Sequence, residues 1–154
     1  MVTRNKKNRK LAGFSLLEFL AVMVLVAVLA LIAIPIYDSY IKKARFQNVV
    51  VAVESFKPGV AACAQNLGIP ENTSPFVGCN EGSNGIPAML GETGPYVARV
   101  TVSSGIIIGV ATKKGGLNSE IYALVPTMKS GGIITWAVDG GSSCLTAGLC
   151  DNPQ

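Results

Sequence analysis

The 154-residue chain contains no histidine. That removes the Ser-His-Asp and Cys-His catalytic arrangements and every metal site built on imidazole. Charge is also scarce, 14% of residues against 49% hydrophobic. A mean hydropathy of +0.44 is high for a soluble domain, so a membrane segment is expected. The four cysteines contain no CxxC spacing, which leaves that kind of metal or redox site without support. There is no phosphate loop and no convincing acid pair, so an enzyme is not expected, nor a cofactor. Acids are missing from residues 1–13, where five of the thirteen basic residues lie: Arg4, Lys6, Lys7, Arg9 and Lys10. Beyond them eight basic residues face nine acids. The formal charge of +4 thus belongs mostly to one end and does not mark a general nucleic-acid binder.

What is present is a long apolar run. No charge occurs from Phe19 to Tyr37, a stretch rich in Val, Leu, Ile and Ala. At about 1.5 Å per residue it approaches the roughly 30 Å hydrocarbon core of a bilayer, and counting from Phe14 makes the span comfortable. The basic residues before it would hold that end in the cytoplasm, leaving the rest of the chain on the far side. A cleaved secretory signal also begins with basic then apolar residues. Here the run is longer than a usual signal core, and Ile36-Tyr37-Asp38-Ser39-Tyr40 offers no small-x-small cleavage site. Glu18 is the costly residue, since a carboxylate near the start of a membrane helix needs hydration or a partner. The plainer reading leaves it hydrated at the interface. The functional reading supplies a cation: cleavage after Gly13 would free an α-amino group on Phe14, positive near neutral pH.

Gly13-Phe14-Ser15-Leu16-Leu17-Glu18, behind a short basic leader and before an apolar helix, resembles the processing site of type IV prepilins. The resemblance implies cleavage by a prepilin peptidase after Gly13 and N-methylation of Phe14. It also implies an assembly role for Glu18, paired with the Phe14 amine of a neighbouring subunit. Pro35, followed by Tyr37 and Tyr40, stands where pilins carry a helix-kinking proline, which would remove one backbone bond. The sequence departs from the family in having no glycine between Phe14 and Pro35; Val24 and Ala27 stand where glycines are common.

Past Tyr40 an apolar stripe of Phe46, Val49, Val53, Phe56, Val60, Cys63 and Leu67 repeats at three- and four-residue intervals, one face of a helix packed on a core. Lys57-Pro58-Gly59 should kink or break it. Residues 68–95, with four prolines and six glycines, read as a long loop. Four short β-rich runs follow. Tyr96, Ala98, Val100 and Val102 alternate with Arg99 and Thr101; Ile106–Thr112, Ile121–Met128 and Ile133–Val138 come next, separated by hairpin-like breaks. Pro126 should place the third strand at an edge or mark a bulge. The expected fold class is α+β: a long N-terminal membrane and spine helix packed on a four-stranded antiparallel sheet, the pilin fold, with a C-terminal disulfide loop. The expected organisation is a basic leader at 1–13, a membrane and filament-core helix at 14–40 and its amphipathic half at 41–67. A loop at 68–95, a sheet at 96–138 and a disulfide-bounded region at 139–154 complete it.

Leu124-Val125-Pro126-Thr127 and Ser130-Gly131-Gly132-Ile133-Ile134-Thr135-Trp136 are similar to the last two strands of major pilins, and Trp136 is read as a core residue. Gly78-Cys79-Asn80 with Asn84-Gly85-Ile86-Pro87 resembles a loop of disulfide-bearing members. Past an exporting bacterium's membrane disulfides are expected, and four cysteines allow three pairings. The resemblance favours Cys63–Cys79 and Cys144–Cys150, although Val138 occupies a position where pilins often have cysteine.

The resemblance implies a structural subunit of a type IV pilus and no chemistry of its own. Its partners would be further copies of itself in a helical homopolymer, prepilin peptidase, the inner-membrane assembly machinery and, before assembly, the membrane. The precursor would sit in the inner membrane with its globular domain in the periplasm, and the filament would be extracellular, serving twitching motility or adhesion. The alternatives are a minor pilin, a type II secretion pseudopilin, or a DNA-uptake or adhesin pilin meeting DNA or a host surface. Lys113, Lys114 and Lys129 could touch phosphate backbones, but so few lysines ordinarily form a solvated face.

Overall fold

The structure, a computed structural model, describes residues 13–89 and 91–151, with backbone alone for 32–36. The leader apart from Gly13 lies outside the described residues; at Pro35, where a kink is expected, the backbone is helical within the unbroken span Leu16–Glu54. The chain divides after Asp38 into two compact units.

Helix α1 spans Leu16–Glu54 and α2 spans Lys57–Asn66. The break expected at Lys57-Pro58-Gly59 falls just before it, at Ser55 and Phe56. Proline has no N–H to lose in a first helical turn, so Pro58 opens α2 rather than ending α1. Gly59 has a packing reason: a Cβ there would come within 3.1 Å of the Gly85 carbonyl oxygen and 3.2 Å of Pro87 Cδ, where the long loop crosses the helix. Within the second unit, Phe46, Val49, Val53, Phe56, Val60 and Cys63 are all buried. Leu67, expected in the same stripe, caps α2 and is exposed.

The sheet is an antiparallel meander, β1 (Val97–Ser103), β2 (Ile106–Ala111), β3 (Ile121–Met128) and β4 (Ile134–Val138), in spatial order β1-β2-β3-β4. Val100, Val102, Ile107, Tyr122, Leu124 and Met128 are buried from its inner face. In β1 the register shifts between Val97 and Arg99, so Val97 takes the buried position that strict alternation assigned to Ala98. Gly109 lets the helix approach the sheet: a Cβ there would collide with Val53 and come within 2.9 Å of Val49 Cγ1.

Pro126 requires a correction. Its strand lies inside the sheet and keeps regular pairing with β4, Pro126 opposite Trp136. The reason is that β2 pairs with β3 only as far as Leu124. Beyond that point the loop takes over: Asn72 N–H donates to the Met128 carbonyl at 2.8 Å, and Met128 N–H to the Thr73 carbonyl at 3.0 Å. Residues two apart in a strand aim their backbone groups the same way, so Pro126 places its missing N–H where β2 has ended.

The loop between α2 and β1 is held by its own residues. Phe76, Cys79 and Ile86 are buried. Phe76 N–H donates to the Ser104 carbonyl, Ser104 N–H to Asn80 Oδ1, and Val102 N–H to Glu81 Oε2. These bonds close the end of edge strand β1. At the other end, a four-residue helix, α3 (Ser143–Thr146), lies against the start of β3. Ala123 N–H donates to Ser142 Oγ and Ile121 N–H to Ser143 Oγ, extending the pairing after β4 stops. Neither α3 nor the 3-10 turn at Ser130–Gly132 was expected, because three or four residues carry no readable period.

Candidate functional site

Gly13 lies outside the helix, exposed, with nothing among the described residues within 4 Å of a Cβ built on it. Phe14 is 78% exposed. The Ser15 carbonyl accepts the Phe19 N–H at 3.1 Å, and helix α1 begins at Leu16. Glu18 is exposed in the first turn, where unpaired N–H groups and the helix dipole favour a negative charge. The three residues singled out for processing and assembly therefore stand at one accessible helix start.

From there the side chains are apolar on every side and exposed; Leu17 and Leu31 are 78% and 76% accessible. A helix hydrophobic all round belongs in an apolar environment, because leaving each such side chain in water forgoes about 1.5–3 kcal/mol. Among the described residues no helix is long and apolar enough to cross a membrane. The run of described side chains from the helix start stops at Leu31, about 24 Å along the axis.

The four cysteines form two disulfides. Cys63 of α2 is joined to Cys79 of the loop, and Cys144 of α3 to Cys150, with Cα separations of 5.8 and 5.4 Å. All four are buried. The second bridge closes a small loop, and Asp151, the residue just after it, pairs with Lys43 of α1 at 2.9 Å. Trp136 is half-buried against the core, and Lys57 Nζ lies 5.5 Å over its ring while pairing with Glu54 at 2.6 Å. The indole face is thus already occupied.

Lys113, Lys114 and Lys129 are exposed. The Gly115-Gly116 turn that follows the first two lies against Arg45 and Lys42 of α1, a contact with no counterpart in linear spacing. A shallow cleft of about 180 Å³ lined by Ser39, Tyr40, Lys43 and Gly148 is below the usual range for a ligand pocket. Among the described residues no three metal-ligating side chains are grouped to hold an ion.

Residues 8–34 match the family described as the prokaryotic N-terminal methylation motif. Type IV pilus subunit protein TapA of Aeromonas hydrophila is 35% identical over 92% of this chain and 99% of its own length. Prepilin peptidase-dependent protein D of Escherichia coli K12 is 29% identical, covering 82% of this chain and 81% of that protein. Type IV major pilin protein PilE1 of Neisseria gonorrhoeae is 34% identical over 71% of this chain, which spans about half (47%) of that relative. An exposed apolar helix behind a methylation motif, a helix-on-sheet domain and a full-length relative agree, and the chain belongs to the type IV pilins.

Proposed function

We propose that this pilus subunit is a major pilin, made as a membrane-inserted precursor and cut between Gly13 and Phe14. Phe14 is then N-methylated, and the subunit polymerises through its apolar helix. The observation that carries this reading is the helix beginning at Leu16, apolar on every side, with Glu18 as the one charged residue of its described apolar stretch. Bilayer lipid satisfies such a surface before assembly, and neighbouring copies satisfy it afterwards. Gly13 is exposed and open to prepilin peptidase, with nothing among the described residues within 4 Å of a Cβ built on it. The inner-membrane machinery then moves the subunit, whose globular domain faces the periplasm, into an extracellular filament.

Glu18 supplies the register. Cleavage creates a cation on Phe14, and the Glu18 carboxylate of an adjacent copy is its natural partner. At 4 Å and an effective dielectric constant of about 20, the attraction is about 4 kcal/mol before desolvation. Intact-mass and N-terminal fragmentation measurements on sheared filaments test the processing. The expected chain begins at Phe14 with one added methyl group on its amine. A filament subunit that retains Met1, or begins near Ser39, overturns the reading.

A further inference from the structure

An antiparallel sheet with one face on the core commonly presents polar residues on the other. This sheet does not. Opposite its buried face, the alternate residues are Ile106, Ile108 and Val110 of β2 and Ile121, Ala123 and Val125 of β3. Neither strand carries a charge. None of the six belongs to the buried core cluster or packs against it. Ala123 is buried, four others are half-buried and Ile121 is 39% exposed, as contacts among same-face neighbours would leave them. A contiguous apolar patch of this kind marks a place of contact.

The pairing orders the face into rows across the strands. Arg99, Val110 and Ile121 form one row, and Thr101, Ile108 and Ala123 the next. Asp139 N–H donates to the Ala123 carbonyl at 2.9 Å, which continues the β3–β4 ladder by one step. Asp139 therefore stands opposite Ala123 on the same face. Arg99 is the one charged residue of β1, and β4 has none. Arg99 and Asp139 are both exposed, and among the described residues neither is in an ion pair. The face is thus basic at its β1 edge, acidic at its β4 edge and uncharged between.

We propose that this face pairs with the same face of a second copy of the chain, about a two-fold axis lying in the contact plane along the strands. That rotation lays the β1 edge of each copy over the β4 edge of the other. Arg99 of one copy then meets Asp139 of the other, and the pair forms twice. The two residues lie one row apart, about 7 Å, which an arginine side chain spans. A two-fold across the strands would set β1 on β1 and leave both charges without a partner. Four strands about 4.8 Å apart and three rows about 7 Å apart give a face of roughly 400 Å². Two such faces bury about 800 Å², short of the roughly 1,200 Å² of a stable complex, so the pairing is weak and forms where copies are crowded. A filament that adds copies in one orientation makes head-to-tail contacts only. Where the chain polymerises as proposed above, the self-pairing therefore joins copies that are not neighbours in one filament.

The test is sedimentation equilibrium of the full-length chain in a density-matched detergent, over rising protein concentration. The wild type should show a monomer–dimer equilibrium. Arg99→Asp and Asp139→Arg should each weaken it about tenfold, since either substitution sets like charges together twice. The double variant should return to within about twofold of the wild type, because exchanging the signs restores both pairs. Ile108→Lys, at the centre of the face, should remove the dimer. Should that variant misfold, the charge exchange alone decides. Single variants that dimerise like the wild type, or a double variant that does not recover, overturn the proposal. A wild type that stays monomeric up to about millimolar concentration also overturns it. So does undiminished dimerisation of folded Ile108→Lys, which would give the contact to the apolar helix. The assay uses unpolymerised chain, so failure here leaves the filament reading standing.

Discussion

One helix serves two regions of this molecule by opposite rules. From Phe19 to Leu31 its side chains are apolar on all sides and exposed. From Phe46 to Val53 only a stripe is apolar, and that stripe is buried on its own domain. The second region finds its apolar partner within the chain, while the first must find one outside it. A helix with a polar face folds as part of a domain; a helix without one requires a lipid or protein environment. The comparison teaches that a carboxylate means different things in the two places. Glu54 pairs with Lys57 in water's reach, whereas Glu18 has no basic residue within the uncharged stretch that follows it.

The largest expected effect follows from Glu18. A chain that needed only an anchor would gain from losing this carboxylate, because inserting one costs a few kcal/mol. If Glu18 pairs with a neighbour's Phe14 amine, its loss removes an intermolecular attraction. Glu18→Ala should leave membrane insertion and cleavage after Gly13 largely intact while lowering surface filaments at least tenfold, counted at matched pilin levels. Wild-type filament numbers in that variant would return Glu18 to a hydrated interfacial role.

Gly109→Val is the complementary perturbation. A side chain there collides with Val53 and Val49, and overpacking a helix-sheet contact costs about 3 kcal/mol. Denaturant unfolding of the detergent-solubilised full chain should show that loss, while Glu18→Ala shifts the same midpoint little. Equal destabilisation by both variants would erase the distinction between the two regions.

The disulfides refine the picture inside the globular region. Loop-closure entropy gives about 3 kcal/mol for the Cys63–Cys79 bridge and slightly over 2 kcal/mol for the shorter Cys144–Cys150 bridge. Replacing each pair with serine should reproduce that order in unfolding free energy. The reverse order would show that α3 depends on its bridge more than the long loop does on its own.

The N-terminal methylation motif was legible because it is linear: residue types, spacing and leader charge all lie within eighteen positions. The four strands and six of the seven stripe residues were legible for a similar reason, since period two and period 3.6 report which face is buried. What escaped depends on distant pairings. Pro126 was misplaced because alternation cannot show that β2 stops opposite Leu124. Gly109 carries no local signal, as its reason is a helix contributed by residues far earlier in the chain. Lys113 and Lys114 were grouped with Lys129 by charge alone, which gave no sign that the Gly115-Gly116 turn following them lies against Arg45 and Lys42.

The smallest effect comes from Tyr122, where helix and sheet meet. Its ring stands edge-on to Phe46, centroids 6.5 Å apart, and burial raises its pKa above the ordinary 10.0, with the Glu54 charge adding in the same direction. Below pH 10 the phenol is neutral in both folded and unfolded chains, so it contributes no pH dependence there. As pH rises past 10 the unfolded chain releases this proton while the folded chain keeps it, so stability falls until the folded phenol also ionises. Tyr122→Phe should therefore lose stability less steeply with pH in that window than the wild type. Lysines and the disulfides respond to alkali in both proteins, so the difference between the two curves isolates the phenol. Filament-free chain and assembled filament should show the same difference, because Tyr122 is buried within its own subunit. Parallel curves for wild type and Tyr122→Phe would mean that the phenol is not shielded by the helix, and that the second half of α1 seats less closely on the sheet than the first comparison requires.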